Sequence, residues 1–116
     1  MRAKNRVASR HRRKKYFKAA KGYFGRKKNV YTVTKNQVEK SWQYAYTGRK
    51  LKKRDYRALW IQRINAGVRQ YELSYSRFMH LVRQAGIDLD RKTLADLAMN
   101  HPKAFEEIVQ QAKQAA

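Results

Sequence analysis

The chain has 116 residues, of which 29 are Lys or Arg and 8 are Asp or Glu, for a net charge of +21. It contains no Cys, which excludes disulfides, thiolate zinc sites and Cys nucleophiles, and no run approaches the ~18 apolar residues of a membrane span. The length suits one domain or a small domain with an extension, and the N-terminal charges lack the apolar segment of a signal peptide, so a cytoplasmic location is expected.

The charge is unevenly placed. Residues 1–57 hold 21 bases against two acids, Glu39 and Asp55, while residues 58–116 hold eight bases against six acids. This asymmetry divides the chain into a basic extension, 1–57, and a small globular domain, 58–116. Self-repelling composition of the first kind stays largely unstructured until a counter-charge arrives. Only a nucleic-acid backbone commonly matches it in charge density.

In chain order, a first helix is predicted over residues 9–21, capped by Ser9 and stopped at Gly22. Gly22 and Gly25 bracket Tyr23-Phe24 in a tight bend. Val30-Tyr31-Thr32-Val33 is rich in β-formers but has no partner strand, and reads as an extended link. Thr34 with Gln37 has the form of a capping box. From there to about residue 71 no Pro intervenes, which allows one helix of roughly 55–60 Å at 1.5 Å per residue. A compact domain of this size is only about half as wide, so the helix must project beyond its core. Val38, Trp42 and Ala45 form one apolar patch on it; Leu59, Trp60, Ile64, Val68 and Tyr71 form another. The intervening Gly48-Arg49-Lys50-Leu51-Lys52-Lys53-Arg54 is polar on nearly every side and does not suit packing on the protein's own core.

Short helices follow. Ser74 caps one with Tyr75, Phe78, Met79, Val82 and Ala85 inward, ending at Gly86. Asp88 or Asp90 caps the next, with Leu94, Leu97 and Ala98 inward and Asn100 at its end. Pro102 opens the last, whose buried stripe is Phe105, Ile108, Val109 and Ala112. The predicted fold is all-α: a basic N-terminal arm and one long projecting helix leading into a small C-terminal helical bundle. Its core anchors are Trp60, Ile64, Phe78, Leu94, Leu97 and Phe105.

The candidate contacts for a polyanion are the bases of the arm, namely Arg2, Lys4, Arg6, Arg10, Arg12, Arg13, Lys14, Lys15, Lys18, Lys21, Arg26, Lys27 and Lys28, with His11 among them. Arg49, Lys50, Lys52 and Lys53 extend the series along the helix. Tyr16, Phe17, Tyr23, Phe24, Tyr31, Trp42, Tyr44 and Tyr46 interleave with the bases; of these, Tyr23 and Tyr31 are the aromatic candidates retained. Arg binds phosphate bidentately, and aromatic rings stack on unpaired bases.

No catalytic constellation is present. His11, His80 and His101 lack carboxylates at ligand spacing, so no metal and no cofactor are expected. Glu106-Glu107 and the pair Asp88 and Asp90 lie near helix N-termini, where the macrodipole favours negative charge. Residues 74–86 and 90–100 could form the helix-turn-helix of a nucleic-acid-binding regulator, but the second helix has little with which to read base edges. A membrane-active peptide would need a continuous apolar face, which the long helix lacks.

Several segments resemble the bacterial ribosomal protein L twenty family. The signature stretch is Lys53-Arg54-Asp55-Tyr56-Arg57-Ala58-Leu59-Trp60-Ile61-Gln62-Arg63-Ile64-Asn65-Ala66-Gly67-Val68-Arg69. Tyr75-Ser76-Arg77-Phe78-Met79, Ala85-Gly86-Ile87 and residues 89–98 are similar to its C-terminal domain, and Ala19-Ala20-Lys21-Gly22-Tyr23-Phe24-Gly25 to its N-terminal bend. The resemblance implies a non-enzymatic component of the large ribosomal subunit that contacts ribosomal RNA and neighbouring large-subunit proteins. It further implies early action in assembly, with translational repression in some members. It implies no small-molecule substrate, membrane or self-association. By position, Arg54, Arg57, Arg63, Asn65 and Arg69 would lie along RNA, and Trp60 would join the helix to the domain. Asn5 departs from the family where another base is usual, and Gly67 where Ala is more common.

Overall fold

The computed structural model describes residues 2 and 4–115. It is about 80% helical, and among the described residues it has no strand. The elements are α1 (Arg6–Ala19), a 3-10 turn (Gly25–Lys28), α2 (Tyr31–Arg69), α3 (Tyr75–Gln84), α4 (Arg91–Asn100) and α5 (Pro102–Gln114). Two compact units divide the chain, Met1–Lys50 and Leu51–Ala116, and α2 runs through the division.

In the first unit, α1 and the start of α2 form a stapled hairpin where composition alone predicts an unstructured arm. Long-range side-chain chemistry, invisible to composition, holds it. The Tyr16 hydroxyl donates to Glu39 Oε1 at 2.9 Å, and the Tyr23 hydroxyl donates to Ser41 Oγ at 2.9 Å. The Tyr16 ring packs 5.8 Å from Trp42 and 6.1 Å from Tyr31, and Phe17 lies 6.2 Å from Tyr31. Ala20, Thr34 and Val38 are buried between the helices.

The ends of α1 and α2 depart from their local sequence signals. Asn5 adopts the left-handed region (φ 46), and its carbonyl accepts from the Ser9 N–H at 3.1 Å, so α1 begins a turn before Ser9 can act as a cap. Tyr31-Thr32-Val33 is helical rather than extended, because the Val30 carbonyl accepts from the Thr34 N–H at 2.8 Å. Thr34 therefore lies inside α2 and is no capping residue. Its hydroxyl, 0% exposed, has no hydrogen-bond partner among the described residues. A buried unpaired hydroxyl costs about 1–3 kcal/mol. Thr34→Val keeps the shape and removes that group, so it should stabilise the first unit by about 1 kcal/mol. Thermal melts followed by the Trp42 fluorescence in a Trp60→Phe background will check the sign.

The middle of α2 is bare. Every residue over 42–59 is exposed, about five turns of helix. Of the apolar patch expected at the start of α2, Val38 is buried, Trp42 is 46% exposed with the Tyr16 ring against it, and Ala45 is exposed. This stretch is supported from its own surface. Lys40 lies over the Tyr44 ring at 5.1 Å, Lys50 over Tyr46 at 4.6 Å and Lys52 over Tyr56 at 5.8 Å. Each pair is four residues apart, where helix side chains meet, and each contributes about 0.5–1 kcal/mol.

The second unit is a conventional core. Ile64 and Val68 of α2 are buried with Phe78, Met79, Leu81 and Val82 of α3, Leu94 and Ala95 of α4, and Phe105, Val109 and Ala112 of α5. Helix ends follow local chemistry. Ser74 Oγ accepts from the Arg77 N–H at 3.4 Å, and Asp90 Oδ1 accepts from the Thr93 N–H at 2.7 Å. That N–H holds the Asp90 carboxyl below its ordinary range. The folded value is depressed, so the cap contributes above the ordinary carboxylate range and is lost as pH falls through the lowered value. Gly86 (φ 66) ends α3, with the Ile87 N–H reaching back to the Val82 carbonyl at 3.1 Å.

Gly67 has a packing reason. A Cβ there would lie 3.0 Å from Phe105 Cε1 and 3.2 Å from Ala98 Cβ. Phe105 is itself held against Phe78, with ring centroids 5.6 Å apart, so the ring edge cannot easily retreat. Gly67→Ala gains about 1 kcal/mol of helix propensity but overpacks at a cost of about 1–3 kcal/mol. A net loss of about 1 kcal/mol in urea melts is expected. A raised midpoint would mean that the ring gives way.

Candidate nucleic-acid interface

Unit Met1–Lys50 contains 17 Lys and Arg against one acid, Glu39. Arg2, Lys4, Arg6, Arg10, His11, Arg12, Arg13, Lys14, Lys15, Lys18, Lys21, Arg26, Lys27 and Lys28 are all exposed. So are Arg49, Lys50, Lys52, Lys53, Arg54, Arg57 and Arg69, while Arg63 and Asn65 are half-buried. Ile64, Phe78, Leu94 and Phe105 are buried, whereas Trp60 and Leu97 flank the core half-buried.

Helix α1 positions its bases because it has almost nothing else to present: no residue within it is buried. Folding back against α2 brings Arg12, Arg13 and Lys15 together with Lys35 around a groove of about 380 Å³, floored by Tyr16 and Tyr31. Arg13 stands 5.1 Å over the Tyr31 ring, and Lys15 lies 5.9 Å from Trp42. Four cations surround this groove, so its potential favours an anion, and Arg13 is held over the Tyr31 ring that lines it. Sequence reasoning misses Lys35. Only the hairpin brings it to α1, and no local spacing signals a partner some twenty residues away.

The structure also separates the aromatics by role. Tyr23 and Tyr31, expected as nucleic-acid contacts, are half-buried and engaged within the hairpin, as are Tyr16 and Phe17. The hydrogen bond to Glu39, followed by desolvation, raises the Tyr16 hydroxyl above its ordinary value of 10.0. The raised value means that this link contributes below the ordinary tyrosine range and is lost as pH climbs through the elevated one. Tyr44, Tyr46 and Tyr56 remain exposed along α2, and Phe24 remains exposed at the bend. In the second unit, Arg63 lines a groove with Tyr56, Trp60 and Lys92 that also contains Asp90 and Asp96, so its charge is locally offset.

Helix α4 has Lys92, Thr93, Asp96 and Met99 on its exposed side, with Leu94 and Ala95 buried. One base beside an acid makes a poor major-groove reader. Among the described residues no cluster of His, Cys, Asp or Glu could hold a metal ion. No helix there is long and apolar enough to cross a membrane.

A family model described as Ribosomal protein L20 matches residues 2–108. The large ribosomal subunit protein bL20 of Flavobacterium johnsoniae is 61% identical over 112 residues, covering 97% of this chain and 98% of that protein. The bL20 protein of Cytophaga hutchinsonii is 63% identical over 107 residues, covering 92% and 93%. That of Bradyrhizobium sp. is 55% identical over 114 residues, covering 98% and 96%. An exposed basic hairpin, a bare cationic helix and a small helical core thus occur in a chain that matches these relatives almost end to end, and the chain belongs to the ribosomal protein L20 family.

Proposed function

We propose that this large-subunit ribosomal protein binds 23S-type ribosomal RNA directly and supports an early step of subunit assembly. The family is structural rather than enzymatic, and its place is the ribosome of the bacterial cytoplasm. The observation that carries the reading is the first unit: 17 bases against Glu39, all exposed but the half-buried Lys35.

The mechanism is a clamp. The second unit docks as a folded body, and the basic hairpin is drawn onto the RNA as phosphates displace its counterions. The exposed turns of α2 then bridge RNA segments distant in sequence. Contacts fall mainly on the backbone, so the chain reads RNA shape more than base order. Neighbouring large-subunit proteins adjoin it in the assembled particle, and it acts as a single copy.

If about ten bases meet phosphates, log affinity against log salt should fall with a slope of roughly −7 to −9. Filter binding of the purified chain to large-subunit ribosomal RNA across a salt series measures this, with duplex DNA as competitor. A slope near zero, or equal preference for the duplex, would overturn the reading. A helix-turn-helix regulator would instead prefer the duplex.

A further inference from the structure

We propose that Phe24 is a stacking residue, its ring held out from the bend to receive an unpaired nucleobase. The proposal rests on the ribosomal-RNA reading above and adds to it a contact that reads a base face rather than a phosphate.

At 90%, Phe24 is the most exposed large apolar side chain described. Its neighbours in type and sequence are engaged: Tyr16, Phe17, Tyr23 and Tyr31 all turn into the hairpin. The backbone beneath the ring is fixed on both sides. Gly22 (φ 87) and Gly25 (φ 59) flank Tyr23-Phe24 in conformations that favour glycine. The Tyr23 N–H donates to the Ala20 carbonyl at 3.1 Å, and the Tyr23 hydroxyl is bound to Ser41. The Phe24 carbonyl accepts from the Lys27 N–H at 3.3 Å, which starts the 3-10 turn. Anchoring Tyr23 inward points the next residue outward, and the bend leaves no nearby surface to cover it.

A ring displayed in this way gains nothing from folding, since its apolar area stays in water. Its value must come from a partner. Lys21 precedes it and Arg26, Lys27 and Lys28 follow it, all exposed, with no acid before Glu39. An apolar face ringed by cations complements a nucleobase bordered by phosphates. Phe has no hydrogen-bonding group, so the contact depends on the π-face and tolerates any base.

The test uses the full chain and a transcript of large-subunit ribosomal RNA. Phe24→Ala should weaken binding about 5- to 150-fold, the range that loss of one base stack spans. The salt slope should not change, because no phosphate contact is removed. Phe24→Trp should restore affinity and Phe24→Leu should not. Ultraviolet crosslinking should leave a nucleotide adduct on residue 24. Unchanged affinity in Phe24→Ala, beside wild-type binding with a steep salt slope, overturns this proposal and leaves the RNA reading intact. Full rescue by Leu also overturns it, pointing to an apolar pocket on a protein neighbour. Wild-type binding without salt dependence overturns the RNA reading and this proposal together.

Discussion

Phe105→Ala should destabilise the second unit by about 3–5 kcal/mol. Phe105 is 2% exposed. Its ring meets Phe78 of α3, with centroids 5.6 Å apart, and its edge fills the space above Gly67 of α2. Two helices, α2 and α3, thus close on this side chain of α5. Truncation leaves a cavity that cannot collapse readily, because one wall is the α2 backbone at Gly67 and another is the Phe78 ring. Small domains have only about 5–15 kcal/mol in total, so this loss takes a large fraction of the margin. Urea melts of the full chain, followed by helical circular dichroism, will show it as a fall in midpoint. Trp60→Ala should cost less, about 2 kcal/mol, because that ring flanks the core only partly buried and packs on Tyr56 at 6.1 Å. Sequence spacing makes Trp60 the natural joint between long helix and domain, yet Ile64 and Val68, at 0% exposure, occupy that position in the core. Equal costs for the two substitutions would reverse this ranking.

The ranking illustrates what local sequence conveys. Caps and stops act over three or four residues, and they are legible: Ser74, Asp90, Gly86 and Pro102 mark the ends of the C-terminal helices in both sequence and structure. The end of α2 is less legible. Glu72 takes the left-handed conformation (φ 60) in which glycine is usual, while the Leu73 N–H closes onto the Val68 carbonyl at 3.2 Å. Nothing in Tyr71-Glu72-Leu73 announces that turn. Pairings across the chain are illegible for another reason. The Tyr16–Glu39 and Tyr23–Ser41 bonds join residues 23 and 18 apart, and no periodicity specifies them. Charge tells which half meets a polyanion, whereas the hairpin decides which aromatic rings remain to meet it.

The bare middle of α2 gives the largest expected effect on the salt dependence of binding. Lys52, Lys53, Arg54 and Arg57 are exposed, and their only nearby acid in sequence is Asp55. Replacing all four with Gln keeps a good helix former at each position while removing the charge. Folding should barely respond. Within the protein, only the stacking of Lys52 over Tyr56 disappears, about 0.5–1 kcal/mol. Binding should respond strongly. If each base meets one phosphate, the salt slope becomes shallower by about 3–4. Affinity near physiological salt then falls roughly 100-fold, at about 0.7 kcal/mol per exposed charge pair. Neutralising four bases of the second unit, Arg77, Arg83, Lys92 and Lys103, all exposed on α3, α4 and α5, gives the matching control and should leave the slope unchanged. The same filter-binding series distinguishes a specific track from a general charge effect. Equal slope changes in the two variants would mean that total charge alone attracts the RNA. A change confined to the α2 variant assigns the contact to those exposed turns, where a helix without protein neighbours is free to lie between RNA strands.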